Sequence, residues 1–146
     1  MRTVDTREYL DMVCGLLAEG KTRIPVPVAG TSMTPFLHPG DTVYLDLPGE
    51  TLKPGDVVLY RRGGQYVLHR IHSRRTGGGF FIVGDSQLAL EPVEKTQICA
   101  KMTAANCGRM LTPKDLRWRF FATLWRRLPL RRIAMALHSK LKTRTR

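Results

Sequence analysis

Glycine and proline interrupt residues 23–106 so often that no long helix fits there, and the runs between them are short and alternating. The Gly63-Gly64 pair separates "GDVVLYRR" from "QYVLHRIHSRR", which predicts a β-hairpin. "DTVYLDLP" places Val43, Leu45 and Leu47 on one face and Thr42, Tyr44 and Asp46 on the other. Gly77-Gly78-Gly79 turns the chain into "FFIVGD", and "QICAKMTAA" alternates Ile98, Ala100, Met102 and Ala104. In "RIPVPVAG" the two prolines restrict the segment to an edge strand or an irregular one. No strand-helix-strand rhythm occurs, so the expected fold is mainly β.

The ends differ from this middle. Residues 4–19 read as a helix, with Tyr9, Met12, Val13, Leu16 and Leu17 at helical spacing and Gly20 as its stop. The predicted organisation is an N-terminal helix over 1–22, a β domain over 23–108 and a helical tail over 109–146. A chain of 146 residues is long enough for one such core. The net charge of +12 is concentrated in the tail: residues 1–108 carry +1, whereas 109–146 hold twelve Lys and Arg against Asp115 alone, or +11. An anionic partner is therefore expected for the tail rather than for the domain. Three cysteines, with no C-x-x-C spacing, read as reduced thiols. No secretory signal or membrane-spanning run is visible. Together these features predict a cytoplasmic protein, in solution or peripheral on a membrane.

The chemistry lies in "GTSMTPFLHPGD". A serine hydroxyl such as that of Ser32 is a weak nucleophile until a base and an orienting acid adjoin it. His69 is the candidate base. His72 lies three residues further along the same strand and so points to the opposite face. With no cysteine or carboxylate cluster at ligand spacing, neither a metal site nor a cofactor is expected. Beyond the next turn stand Asp85 and Glu91, so the elements of an acyl-transfer triad are all present.

The four segments "GTSMTPFLHPGD", "KPGDVVLYRR", "YVLHRI" and "FIVGDSQ" resemble, in order and spacing, the signal-peptidase-like serine proteases, the group that includes LexA-type self-cleaving repressors. The resemblance covers about residues 25–105. It implies the coiled β-sheets of signal peptidases and LexA C-terminal domains, flanked here by the short helix and the basic amphipathic tail. Bacterial leader peptidases in that group use a lysine base, whereas the archaeal and endoplasmic-reticulum branch has an "HR" dipeptide in its place. His69-Arg70 resembles the latter. The resemblance implies Ser32 as nucleophile, His69 as general base, and Glu91 or Asp85 as the third member, on equal terms. It also implies the Ser32 backbone N–H as an oxyanion donor and a cleft lined by Met33 and Pro35. Gly30 stands where some relatives supply a second, hydroxyl donor.

The expected function is thus a serine endopeptidase that processes a peptide or protein precursor, of the signal- or leader-peptide type. The alternative is a non-catalytic module of the same fold, used for binding or for membrane-surface docking. A base with the usual histidine pKa of about 6.5 would give activity rising through roughly pH 6 to 7.5. In the tail, Thr112 is the expected N-cap with Pro113 at the first helical position, Leu116, Phe120, Leu124 and Leu128 recur at helical spacing, and Trp118, Phe121 and Trp125 are expected to broaden that face. With Arg126 and Arg127 beside them, these aromatic residues are expected to rest on an anionic membrane surface, over residues 112–142. Docking of the aromatic face on the β domain or on a protein partner is the competing reading. Nothing resembles a helix that reads nucleic acid, so a nucleic-acid partner is disfavoured.

Overall fold

The computed structural model describes residues 6–127. Helix α1 (Thr6–Ala18) buries Leu10, Val13 and Leu17 along one stripe and leaves Met12 exposed. Gly20, at φ +96°, ends it: the Lys21 N–H reaches back to the Leu16 carbonyl and the Gly20 N–H to that of Leu17. The strands are β1 (Ile24–Pro27), β2 (Thr42–Asp46), β3 (Val57–Arg62), β4 (Gln65–Arg74), β5 (Phe80–Val83), β6 (Glu91–Val93), β7 (Ile98–Asn106) and β8 (Met110–Leu111). They form one antiparallel sheet in the order β1-β2-β7-β3-β4-β5-β6, with β8 paired to β7. The fold is mainly β, as expected.

Strand β3 explains how one sheet serves two cores. Four successive residues, Val57 to Tyr60, are buried, so both of its faces are covered. Val57 and Leu59 join α1, β1, β2, β7 and the tail in one core. Val58 and Tyr60 join Ile71, Phe80, Ile82, Val93 and Ile98 in the other. Irregular register at Tyr44/Leu45, Leu59/Tyr60 and Ile71/Ser73 lets the sheet coil around both. The hairpin turns at Gly63-Gly64, with Arg62 opposite Gln65. β1 is an edge strand, and Val28 just beyond it donates to Asp41 and accepts from Gly40. By alternation Pro25 and Pro27 turn their nitrogens to the open edge, where a missing N–H breaks no ladder bond.

The beginning of the tail corrects two expectations. Thr112 does not cap a helix; its N–H donates to the Asp115 carboxylate at 2.7 Å, and the helix α2 (Leu116–Phe120) starts one turn later with Asp115 at its N-cap. A wider, π-type turn continues it over Phe121–Trp125. Trp118, Phe121 and Trp125 do not share the exposed face of Leu116, Phe120 and Leu124; they point the opposite way, into the domain. Trp118 and Phe121 are buried against Phe36, with ring centroids 5.8 and 5.0 Å from it. The Trp125 indole donates to the Asp85 carbonyl at 3.0 Å, and Arg126 donates to the His72 carbonyl at 2.7 Å. Gly55 permits the close approach, since a Cβ there would lie 2.7 Å from the Ala122 carbonyl oxygen. The aromatic side of this helix is therefore part of the core. Arg127 is exposed, and Leu128, Pro129 and the rest of the expected tail helix lie outside the described residues.

This packing has a measurable signature. Phe121→Ala removes a buried ring between Phe36 and Trp125 and is expected to cost about 3–5 kcal/mol of stability. Leu124→Ala, on the outer side, is expected to stay within about 0.5 kcal/mol of wild type. Urea unfolding of both variants checks this; equal midpoints would mean that the tail does not dock.

Candidate active site

Ser32 stands on a turn built to hold it still. The chain leaves β1 through Gly30, at φ +76°, and makes a helical turn in which Thr34 N–H bonds the Thr31 carbonyl and Leu37 N–H bonds that of Met33. Met33, Phe36 and Leu37 anchor the turn in the core. His69 sits in β4 opposite Val58 of β3 and is buried. Its Nε2 lies 3.0 Å from Ser32 Oγ. The serine and histidine singled out in the sequence, 37 residues apart, therefore meet at hydrogen-bonding distance.

The turn after β5 packs directly behind them. A Cβ on Gly84 would lie 2.5 Å from the Ser32 carbonyl oxygen and 3.1 Å from His69 Nε2, so only glycine fits there. Ser86 completes the brace: its N–H donates to the Ser32 carbonyl at 3.0 Å and its hydroxyl to the Thr31 carbonyl at 3.0 Å. Among the described residues, the Ser32 N–H donates to no protein acceptor, which leaves it free for an oxyanion.

The second nitrogen of His69 does not meet a carboxylate. Nδ1 lies 3.4 Å from the hydroxyl of Tyr60, which donates at 2.7 Å to Glu91 Oε1. Because that proton is given to Glu91, the Tyr60 oxygen is left to accept from His69 Nδ1–H, and Nε2 is the basic nitrogen facing Ser32. Glu91 is held in turn by Arg62, whose Nε donates to Oε2 at 2.9 Å and whose Nη2 bonds Oε1. The Arg62 hydrogen bond keeps the Glu91 carboxyl below its ordinary pKa. Burial, reinforced by Glu91, pushes the Tyr60 hydroxyl up, so it remains protonated. Burial also depresses His69, with Arg62 adding to the effect and Glu91 opposing it, to about 4. Sequence reasoning missed Tyr60. The signal was available in the alternation of β3: Tyr60 shares a face with Val58, the residue paired with His69.

Asp85 has a different partner. Its two oxygens accept from Nε and Nη2 of Arg70, each at 2.8 Å, and both side chains are almost wholly buried. Nη1 of Arg70 donates to the Gly55 carbonyl at 2.8 Å. His69 and Arg70 are neighbours in a strand, so they point to opposite faces, and Asp85 follows Arg70. It is thus placed to hold the turn rather than the imidazole. Met33 is among the residues that line the cleft, and the exposed Pro35 is not; its carbonyl accepts from Arg117 on the tail side.

The cleft itself holds about 800 Å³ between α1, the β1 segment and β4. Val26, Met33, Leu45, Leu59 and Leu68 give it an apolar floor and walls, and Ser32, His69 and Gln87 stand at its polar end. The match to the peptidase S24-like family runs over residues 2–103 and so spans α1, the cleft and both partners of the pair. This chain belongs to the S24-like peptidase family. Comparison with curated proteins and with solved structures gives no match. Among the described residues no group of His, Cys, Asp and Glu is arranged to hold a metal, and no helix is long and apolar enough to cross a membrane. The S24-like match ends at residue 103, before Trp118 and Trp125.

The buried pair makes a sharp prediction. Asp85→Asn leaves Arg70 charged and half-satisfied in the core, and is expected to cost about 3–5 kcal/mol in denaturant unfolding. The joint change Arg70→Met, Asp85→Leu is expected to recover much of that loss. A neutral Asp85→Asn variant would show that the pair is not dehydrated in the folded protein.

Proposed function

We propose that this chain is a serine endopeptidase of the histidine-using kind, cleaving an extended segment of a peptide or protein precursor. The observation that carries the reading is the Ser32 Oγ–His69 Nε2 approach of 3.0 Å at the polar end of an apolar cleft. Ser32 Oγ attacks the scissile carbonyl while its proton passes to Nε2. The new imidazolium directs Nδ1–H at Tyr60, whose own proton is committed to Glu91, so the negative charge of Glu91 is felt through the phenol. The Ser32 N–H meets the oxyanion. His69 then returns the proton to the leaving amine, and in the second half activates the water that releases the acyl group.

The cleft also selects the form of the substrate. Pro27 and Ala29 present the open edge of β1 along the cleft, and a substrate added there as a strand would find carbonyl acceptors with few competing N–H groups. The walls favour small or aliphatic side chains. The rival reading, a binding module with no catalysis, draws on one observation: Glu91 does not touch His69.

Labelling by a fluorophosphonate serine probe separates the two. Wild type is expected to label, and Ser32→Ala and His69→Ala to lose labelling while keeping a native near-ultraviolet circular dichroism spectrum. Tyr60→Phe is expected to slow labelling roughly tenfold to a hundredfold, the value of one hydrogen bond to a charged group. The pH profile revises the sequence-based expectation. A His69 pKa lowered to about 4 keeps Nε2 unprotonated far below neutrality, so labelling is expected to persist to roughly pH 5 and to fall through pH 4. A folded wild type that resists several such probes would favour the binding module. A midpoint near pH 7 would show that His69 is not desolvated as its surroundings imply.

A further inference from the structure

The helix that closes the described chain is apolar on two sides, and only one of them is used. Trp118, Phe121 and Trp125 face the domain. On the outer side Leu116 is 81% exposed, Phe120 38% and Leu124 54%. These residues succeed one another at i, i+4 spacing and so form a single ridge. The basic residues divide in the same way. Arg117 is turned inward onto the Pro35 and Phe36 carbonyls, and Arg126 onto that of His72. Arg119 and Arg127 are exposed; helical spacing sets Arg119 beside the ridge, three residues from Leu116, and Arg127 lies just beyond the end of the helix.

The charge around the ridge narrows what can cover it. Residues 109–146 carry a net +11. A second copy of this chain would bring an equally basic segment against the first, so self-pairing is opposed by repulsion. A nucleic acid would match the charge but offer nothing to three protruding apolar side chains. An anionic bilayer supplies both phosphates for the arginines and an acyl layer for the ridge. We infer that the Leu116–Phe120–Leu124 ridge, flanked by Arg119 and Arg127, docks on the surface of an anionic lipid bilayer. The helix would lie in the interface with its aromatic side still in the domain, so binding requires no unfolding. This surface is independent of the Ser32 chemistry.

The test is co-sedimentation of the full chain with vesicles of phosphatidylglycerol mixed into phosphatidylcholine, against phosphatidylcholine alone. Binding is expected only to the anionic vesicles and is expected to weaken with salt. Joint replacement Leu116→Ser, Phe120→Ser, Leu124→Ser is expected to lower affinity roughly tenfold or more, with a cooperative urea transition retained although the Phe120 ring, 5.2 Å from that of Phe121, is lost. Arg119→Gln and Arg127→Gln are each expected to lower it roughly fivefold. Failure to bind anionic vesicles overturns the inference. So does undiminished binding by the triple serine variant, which would assign the attraction to charge elsewhere in the chain. A dimer seen by light scattering and dissociated by that variant would instead make the ridge an interface between copies. Ridge-dependent binding to a DNA duplex at matched salt would equally overturn it.

Discussion

Two charges withdrawn from water hold this site together. Arg70 and Asp85 are both nearly inaccessible, and such a pair is tolerable only when its hydrogen bonds are complete. Here they are met on several sides: two parallel bonds between guanidinium and carboxylate, a third to the Gly55 carbonyl, and the Phe36 ring 5.1 Å from the guanidinium carbon. The consequence reaches the chemistry through the backbone. With Asp85 immobilised, Gly84 is pressed against Ser32 and His69, and Ser86 ties down the carbonyls of Thr31 and Ser32. Phe36, stacked on the same arginine, fixes the far end of the serine turn. The dipeptide His69-Arg70 thus serves both faces of one strand, with the imidazole that meets Ser32 on one and the buried ion pair on the other.

The two carboxylates near His69 have separate partners: Arg70 for Asp85, and Tyr60 with Arg62 for Glu91. Asp85 provides rigidity and pairs with Arg70, which points to the face opposite His69. Glu91 provides the negative charge, but its carboxylate stops at Tyr60, and the phenol carries its influence to Nδ1. Burial depresses the basicity of His69, while a charge one hydroxyl away partly restores it. Arg62, which neutralises Glu91 from the solvent side, limits that restoration. The balance among these three groups therefore sets the strength of the base.

Much of this was legible from pattern. Alternation and glycine placement located the hairpin, β2, β5 and β7, because strands covered by a core on at least one face keep a period of two. The edge position of β1 followed from its prolines. The serine-histidine pair was legible from ordered motifs, although no spacing rule brings residues 32 and 69 within 3.0 Å; the sheet order does that. The choice between Asp85 and Glu91 was not legible. It depends on Arg70 pointing away from His69 and on a two-residue diagonal that places Tyr60 between His69 and Glu91, and both are relations across strands. Strand β6 was missed for a related reason. Only Val93 of "EPV" is buried, too little for periodicity to register, yet this strand delivers Glu91.

The tail shows a different limit. Helical spacing placed Leu116, Phe120 and Leu124 together, but the reading that let Trp118, Phe121 and Trp125 broaden the same face was wrong, because those three turn into the domain. Hydrophobicity alone ranks the two sides nearly equally. The difference lies in the receiving surface: Phe36 offers a ring edge, Gly55 lets the helix backbone approach, and the carbonyls of Asp85, His72, Pro35 and Phe36 accept from Trp125, Arg126 and Arg117. The aromatic side carries the Trp125 indole N–H and is flanked by Arg117 and Arg126, whose hydrogens meet those carbonyls, whereas the side chains of Leu116, Phe120 and Leu124 have no donor to offer. Polar complementarity at its margin therefore decides which way an apolar helix turns, and the ridge of Leu116, Phe120 and Leu124 is what it leaves outside.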